Sequence, residues 1–158
     1  MWPFRKPLSS IAGKLSSRQL VNAVFDRSPR KRERYTEIQW GVHYVWWLVA
    51  ESLNGSIEQY FTNSTADDYP ALRDFLERVG AQSTLDALAP FAGKFSDGDE
   101  FMQRGARIDY VVARREEDDD AWEACVRKAN DEIEKTYSAM YQQVADYIRA
   151  NVDSVEAQ

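Results

Sequence analysis

The segment "ESLNGSIEQYFTNS", Glu51 to Ser64, closes a strongly apolar run and gathers Asn, Gly, Gln, Tyr, Phe and Asn into a few positions. Whether it is a reactive site or a helix stop followed by a second helix decides the fold. Asn54 and Gly55 favour the stop, because both tolerate a left-handed backbone, a usual way to end a helix and let the chain turn. Beyond them Ile57, Tyr60 and Phe61 recur at three and four residues, so "SIEQYF" reads as a short helix with one apolar face.

Upstream, a longer helix from Thr36 carries Ile38, Val42, Val45, Trp46, Val49 and Leu53 on one side. Trp40, Tyr44, Trp47 and Leu48 widen that surface until little polar face remains, the pattern of a central helix. Before it, Ser16 or Ser17 can cap a short helix bearing Leu20, Val21, Val24 and Phe25, which ends ahead of Pro29. "RSPRKRER", Arg27 to Arg34, reads as an exposed basic link.

Downstream, "YPALRDFLERVG" has Pro70 at a helix start, Leu72, Phe75, Leu76 and Val79 on one face, and Gly80 as the stop. "STLD", Ser83 to Asp86, is a variant capping box opening a helix with Leu85, Leu88 and Phe91. "KFSDGDEF" reads as a turn, and "FMQRGARIDYVVARR" as helix broken at Gly105 or as partly irregular chain. From about Asp120 one long helix is marked by Trp122, Val126, Ile133, Met140, Tyr141, Val144 and Ile148. The expectation is an all-α fold, a compact bundle of about six helices with a long C-terminal helix.

The chain has 158 residues with 44% apolar and 13% aromatic content, enough for one core. Its charge of −6 is unevenly spread. Residues 1–35 carry nine Lys/Arg against two Asp/Glu, a charge of +7, whereas residues 36–158 carry eleven against twenty-four, −13. This divides the chain into a basic N-terminal arm with a short helix, 1–35, and an acidic all-helical domain, 36–158.

A lone cysteine, Cys125, excludes an intramolecular disulfide and fits a reducing, cytoplasmic setting. The run "WGVHYVWWLVA", Trp40 to Ala50, is far shorter than the about 18–20 residues of a membrane span. The N-terminus is basic but lacks the sustained apolar core of a secretory signal.

Catalytic constellations are not evident, and no cofactor is expected. One Cys and the single His43 cannot furnish the usual Cys/His zinc site, so no metal is expected either. A Ser-His or Cys-His site would need His43, which lies in the most apolar helix, where a buried, hydrogen-bonded imidazole is the commoner role. Ser28-Pro29-Arg30-Lys31 matches a Ser-x-x-Lys pattern by chance, in a link without an enclosing site. Asp97-Gly98-Asp99 lacks the other ligands of a calcium loop.

The run Glu116, Glu117, Asp118, Asp119, Asp120, together with Glu123, is the most charged feature. Carboxylates at a helix N-terminus complement its dipole, and Arg114 and Arg115 can pair with some of them. Glu123 with Arg127 and Asp131 with Lys135 are further i,i+4 pairs. The same carboxylates also suit a surface resembling nucleic acid. DNA presents one charge per about 1.7 Å of axis, and helical side chains three or four residues apart lie about 5–6 Å apart at Cβ.

"NGSIEQYFTNS", followed by "ALRDFLERVGA" and "LDALAPFAGKF", resembles the bacterial DNA mimic protein family, whose pattern is close to Asn-Gly-Gly-Phe-x-Gln-Tyr-Phe-x-Asn-Ser. Asn54, Gly55, Gln59, Tyr60, Phe61, Asn63, Ser64, Gly80 and Ala81 match, while Ser56 replaces the second glycine and Ile57 the phenylalanine. The resemblance spans about Ala50 to Phe95. It implies an all-helical domain, often dimeric, named for acidic mimicry of DNA, with no catalytic residue.

Two function classes follow. The first is an acidic binding module, a possible homodimer, that engages a DNA-binding regulatory protein through Glu116–Asp120 and Glu123. The second is an enzyme or small-molecule-binding domain with a pocket around Gln59, Tyr60 and Asn63. A third, the arm lying on an anionic membrane through Trp2 and Phe4, is opposed by repulsion of the acidic body.

Overall fold

The central helix begins at a reciprocal cap. Thr36 Oγ1 accepts from Gln39 N at 3.2 Å while Gln39 Oε1 accepts from Thr36 N at 2.9 Å. The structure, a computed structural model, describes residues 6–95 and 103–156. Trp2, Phe4 and the segment around Asp97–Asp99, where a turn is expected from the sequence, lie outside the described residues.

Among these residues the chain is all-α. It forms nine α-helices: α1 (Leu8–Ile11), α2 (Ser17–Arg27), α3 (Glu37–Asn54), α4 (Ile57–Thr62), α5 (Tyr69–Arg78), α6 (Gln82–Ala92), α7 (Arg104–Glu134), α8 (Tyr137–Ala150) and α9 (Val152–Glu156). The expected count of about six is low chiefly because α1 and α9 are too short to show a period.

Helix α3 packs against α2, α4 and α5, and α7 lies along α4 and α6. Val42, Val45 and Leu48 of α3 are fully buried with Leu72 and Leu76 of α5 and Leu88 of α6. Where α3 meets α5 the approach needs a glycine: a Cβ on Gly41 would sit 2.2 Å from the Phe75 ring.

The basic segment shares this core. Ser16 forms a capping box with Gln19, and Leu20, Val21 and Val24 of α2 are fully buried. Helix α2 packs on α8, where Ser17 Oγ donates to Gln142 Oε1 at 2.7 Å. Phe25 stacks on Trp46 of α3 with ring centroids 4.4 Å apart.

Helix α5 ends as its sequence predicts. Gly80 has φ 75°, Gly80 N donates to Glu77 O at 3.1 Å and Ala81 N to Leu76 O at 2.8 Å, which satisfies the terminal carbonyls. Helix α6 then starts at Gln82 without a side-chain cap, so Ser83 to Asp86 is its first turn and not a capping box.

The long helix is placed differently from expectation. Its first half, "RGARIDYVVARR", is regular helix through Gly105, and its second half ends at Glu134 instead of running on to Ile148. Thr136 Oγ1 donates to Ile133 O at 2.7 Å and accepts from Thr84 Oγ1 at 3.0 Å, so the break is held to α6. The C-terminal apolar pattern therefore belongs to two helices, α7 and α8. Inside α7, Asp118 departs from helical geometry (φ −162°, ψ 93°), and its Oδ1 accepts from Ala121 N at 3.0 Å, capping the second half like a new helix.

Two glycine substitutions should move stability in opposite directions. Gly41→Ala pushes a methyl into Phe75 and is expected to lower the unfolding free energy by about 1–3 kcal/mol. Gly105→Ala meets nothing within 4 Å and should raise it by up to about 1 kcal/mol. Urea denaturation with an unchanged m-value reads both.

Candidate functional site

Six residues make a helix too short to hold itself, and α4 is held at its start, middle and end by α7. At its start Ser56 Oγ accepts from Gln59 N at 3.2 Å, and Asn130 Oδ1 of α7 accepts from Ile57 N at 2.7 Å. Ser56, in place of the pattern's second glycine, thus serves as the helix cap. In the middle, Glu58 accepts from Arg115 Nη2 at 3.0 and 3.1 Å and from the Trp122 indole N–H.

At the end of α4 three carbonyls that lack helical partners are met by arginines. Arg104 Nε donates to Thr62 O at 2.8 Å, and Arg107 donates to Phe61 O at 2.6 Å and to Asn63 O at 3.1 Å. Arg107 is 1% exposed, and its charge is matched by Asp67 Oδ1 at 2.5 Å. Sequence reasoning missed Arg107. Its only signal is a cation at a position where Val111 and the other buried residues of the same helix are apolar.

The motif's amides converge on a second residue that sequence reasoning passed over. Gln59 Nε2 and Asn63 Nδ2 both donate to Glu51 Oε2, at 2.5 and 2.8 Å. Glu51 is buried at 9% exposure. Its other oxygen, Oε1, makes no hydrogen bond with the described residues.

Gly55 has a role here different from the one expected. Its φ is −143°, so the turn after Asn54 is not left-handed. What the position requires is a missing side chain: a Cβ would lie 1.9 Å from Gln59 Oε1. The glycine leaves room for the glutamine that holds Glu51.

The motif residues part ways in burial. Tyr60 and Phe61 are packed in the core, at 1% and 0% exposure, and Asn54, Gly55 and Ser64 are exposed. Burial holds the Tyr60 phenol far above its usual range, so it stays neutral and gives no acid or base. A cavity of about 240 Å³ does open beside the motif, between α3 and the turn after α4, walled by His43, Tyr44, Trp47, Glu51, Asn63 and Asp68. Of the three residues proposed to line a pocket, Asn63 does; Tyr60 points to the core and Gln59 reaches the cavity only through Glu51.

His43 sits among Phe25, Tyr35, Trp40, Tyr44 and Trp47, with ring centroids 5.7 to 6.5 Å away. Its Nε2 accepts from Trp47 Nε1 at 3.1 Å, which places the proton on Nδ1, and Nδ1 is buried without a partner. Burial, with a smaller contribution from the Arg32 charge, lowers its pKa. A neutral imidazole locked to an indole activates no nucleophile. No group of three or more His, Cys, Asp or Glu placed to hold a metal occurs among the described residues.

Glu116, Glu117, Asp118, Asp119 and Asp120 are all exposed around the bend in α7, and Glu123 is half-exposed. Arg114 binds Glu117 at 2.6 Å, and Arg115 binds Asp119 and Glu123, each at 2.6 Å. Glu123 therefore pairs backwards with Arg115 and not with Arg127, and Lys135 pairs with Glu132 at 2.7 Å and not with Asp131. Asp118 caps, while Glu116 and Asp120 pair with none of the described residues.

The DMP19-like protein family matches residues 33–151, three-quarters of the chain, including the motif, the cavity's α3 wall and the acidic bend. The chain belongs to the DMP19-like family. No curated protein and no solved structure matches it. Membership agrees with the resemblance to DNA mimic proteins carried by Asn54 to Ser64 and supports an acidic helical binding module for this DMP19-like chain. No helix among the described residues is long and apolar enough to cross a membrane.

Two outcomes test this geometry. Arg107→Met strips Phe61 O and Asn63 O at the end of α4 of their donor and should cost about 2–4 kcal/mol of stability by denaturant unfolding; Asp67→Asn, at a half-exposed residue, should cost less. His43 has a folded pKa below its ordinary 6.5, so the unfolded chain binds the proton first on acidification. Its contribution is present above about pH 6.5 and is lost as pH falls from there toward the folded pKa. Unfolding free energy should drop on going from pH 7.5 to 5.5, and the drop should be smaller in His43→Gln.

Proposed function

We propose that this DMP19-like chain uses the acidic bend of α7 to occupy the DNA-binding surface of a basic regulatory protein. The observation that carries this reading is the projection of five consecutive carboxylates, Glu116 to Asp120, where the break at Asp118 turns the helix. Helix α7 carries ten Asp/Glu and six Lys/Arg, and one of those cations, Arg107, is withdrawn into the core. Its solvent face is therefore more negative than its sequence.

Arg114 and Arg115 reduce that charge but also orient it. By fixing Glu117, Asp119 and Glu123 they hold the carboxylates in a set pattern, and a fixed charge row loses less entropy on binding than a flexible one. Glu116 and Asp120 are left to meet the partner's cations. Such contact is governed by long-range attraction, which speeds encounter and fades with salt. Homodimer formation and a cytoplasmic location belong to the same proposal; the lone Cys125 suits a reducing compartment.

The full chain, immobilised and exposed to host lysate, should retain a DNA-binding regulator that is released by rising salt and displaced by the regulator's own operator DNA. Replacing Glu116 and Asp120 by Gln and Asn should weaken retention about tenfold, as expected for losing two charge contacts. Retention indifferent to salt, to operator DNA and to these two residues would exclude mimicry.

A further inference from the structure

The cavity beside the motif is a small, walled space with an arranged carboxylate, and neither the family match nor the proposed acidic surface uses it. Gln59 and Asn63 hold Oε2 of the buried Glu51 in place, and Oε1, on a residue that lines the cavity, is left without a protein partner. Tyr44 and Trp47 supply aromatic walls, and Asp68 adds a second carboxylate from the chain after α4. His43 adds no charge. Its lowered pKa, due to burial and then to Arg32, keeps it neutral at physiological pH.

We propose that this cavity binds an alkylguanidinium group, with Glu51 Oε1 and Asp68 accepting its N–H donors and Tyr44 and Trp47 flanking its plane. Planar guanidinium suits the site better than ammonium, because it stacks on aromatic faces and is more weakly hydrated, so less is lost on entering. The volume of about 240 Å³ falls below the about 300–1,000 Å³ of sites for drug-sized ligands. It is of the size for one side chain.

The chain carries its own competitor. Arg32, in the exposed 3₁₀ turn Arg32–Arg34, lines the same cavity yet forms no ion pair with the described residues. It stands at the rim as a cation drawn to Asp68 without engaging it, and an incoming guanidinium must displace it. Two sources present this chemistry: an arginine side chain of a polypeptide, or a free guanidino metabolite.

The test titrates the ¹⁵N-labelled full chain with methylguanidinium, with N-acetyl-arginine N-methylamide and with agmatine, following the Trp47 indole N–H. Saturable shifts are expected with guanidinium probes, and none with urea, which has the same shape but no charge. Asp68→Asn should weaken binding several-fold and Glu51→Gln about tenfold or more. Arg32→Gln should tighten it several-fold.

Asp68 and Arg32 are exposed, so these variants keep the inference testable even if Glu51→Gln disturbs the fold. Binding of the arginine amide at least as tight as that of agmatine assigns the site to a polypeptide side chain; the reverse order assigns it to a free metabolite. No saturable shift in either the wild type or Arg32→Gln overturns the proposal. Equal affinity for methylammonium and methylguanidinium, or an Arg32→Gln variant that binds more weakly, also overturns it. The regulator capture described above does not depend on this cavity, so either result can fail alone.

Discussion

The attachment of α4 to α7 is the constraint on which the rest of the molecule depends. A helix of six residues makes few internal hydrogen bonds, and both its ends need outside partners. Helix α7 supplies them along its length, from Arg104 to Asn130, and also packs against α6. The buried guanidinium of Arg107 is the costliest member of this arrangement, since a charge in the core is tolerated only when its donors are matched. Because Phe61 O, Asn63 O and Asp67 all answer to Arg107, the turn after α4 has one shape, and that shape sets the cavity wall.

What the sequence made legible was periodicity and capping. Thr36, Ser16, Pro70 and Gly80 each mark a boundary through local chemistry, and each acts at the boundary it marks. The breaks at Asp118 and at Lys135–Thr136 have no proline or glycine to announce them. The first is made by an aspartate that can cap from within a charged run, the second by a threonine pair across to α6. The second depends on a tertiary partner, and the first on one aspartate among several alike; periodicity reveals neither.

The candidate site was half legible for the same reason. Asn54 to Ser64 stood out as a cluster, and the packing of Tyr60 and Phe61 followed from their spacing. The role of Gln59 and Asn63 required knowing that Glu51, eight and twelve residues earlier in sequence, would be folded back beneath them. Gly55 shows how a correct residue can carry an incorrect reason: a helix stop was expected of its backbone freedom, whereas the space left by its absent side chain is what the neighbouring glutamine occupies.

The pairing of α2 with α8 has a consequence for biosynthesis. The bond from Ser17 to Gln142 joins residues 125 apart in sequence, and Leu20, Val21 and Val24 bury their surface in a core that α8 helps to form. Contacts of such separation close late, since the intervening chain must first be ordered. On the ribosome, α2 can meet α3 early, but the side that packs on α8 must wait for nearly the whole chain to emerge. During that interval its apolar stripe is flanked by the chain's most basic stretch, and repulsion between like-charged nascent segments keeps neighbouring copies apart.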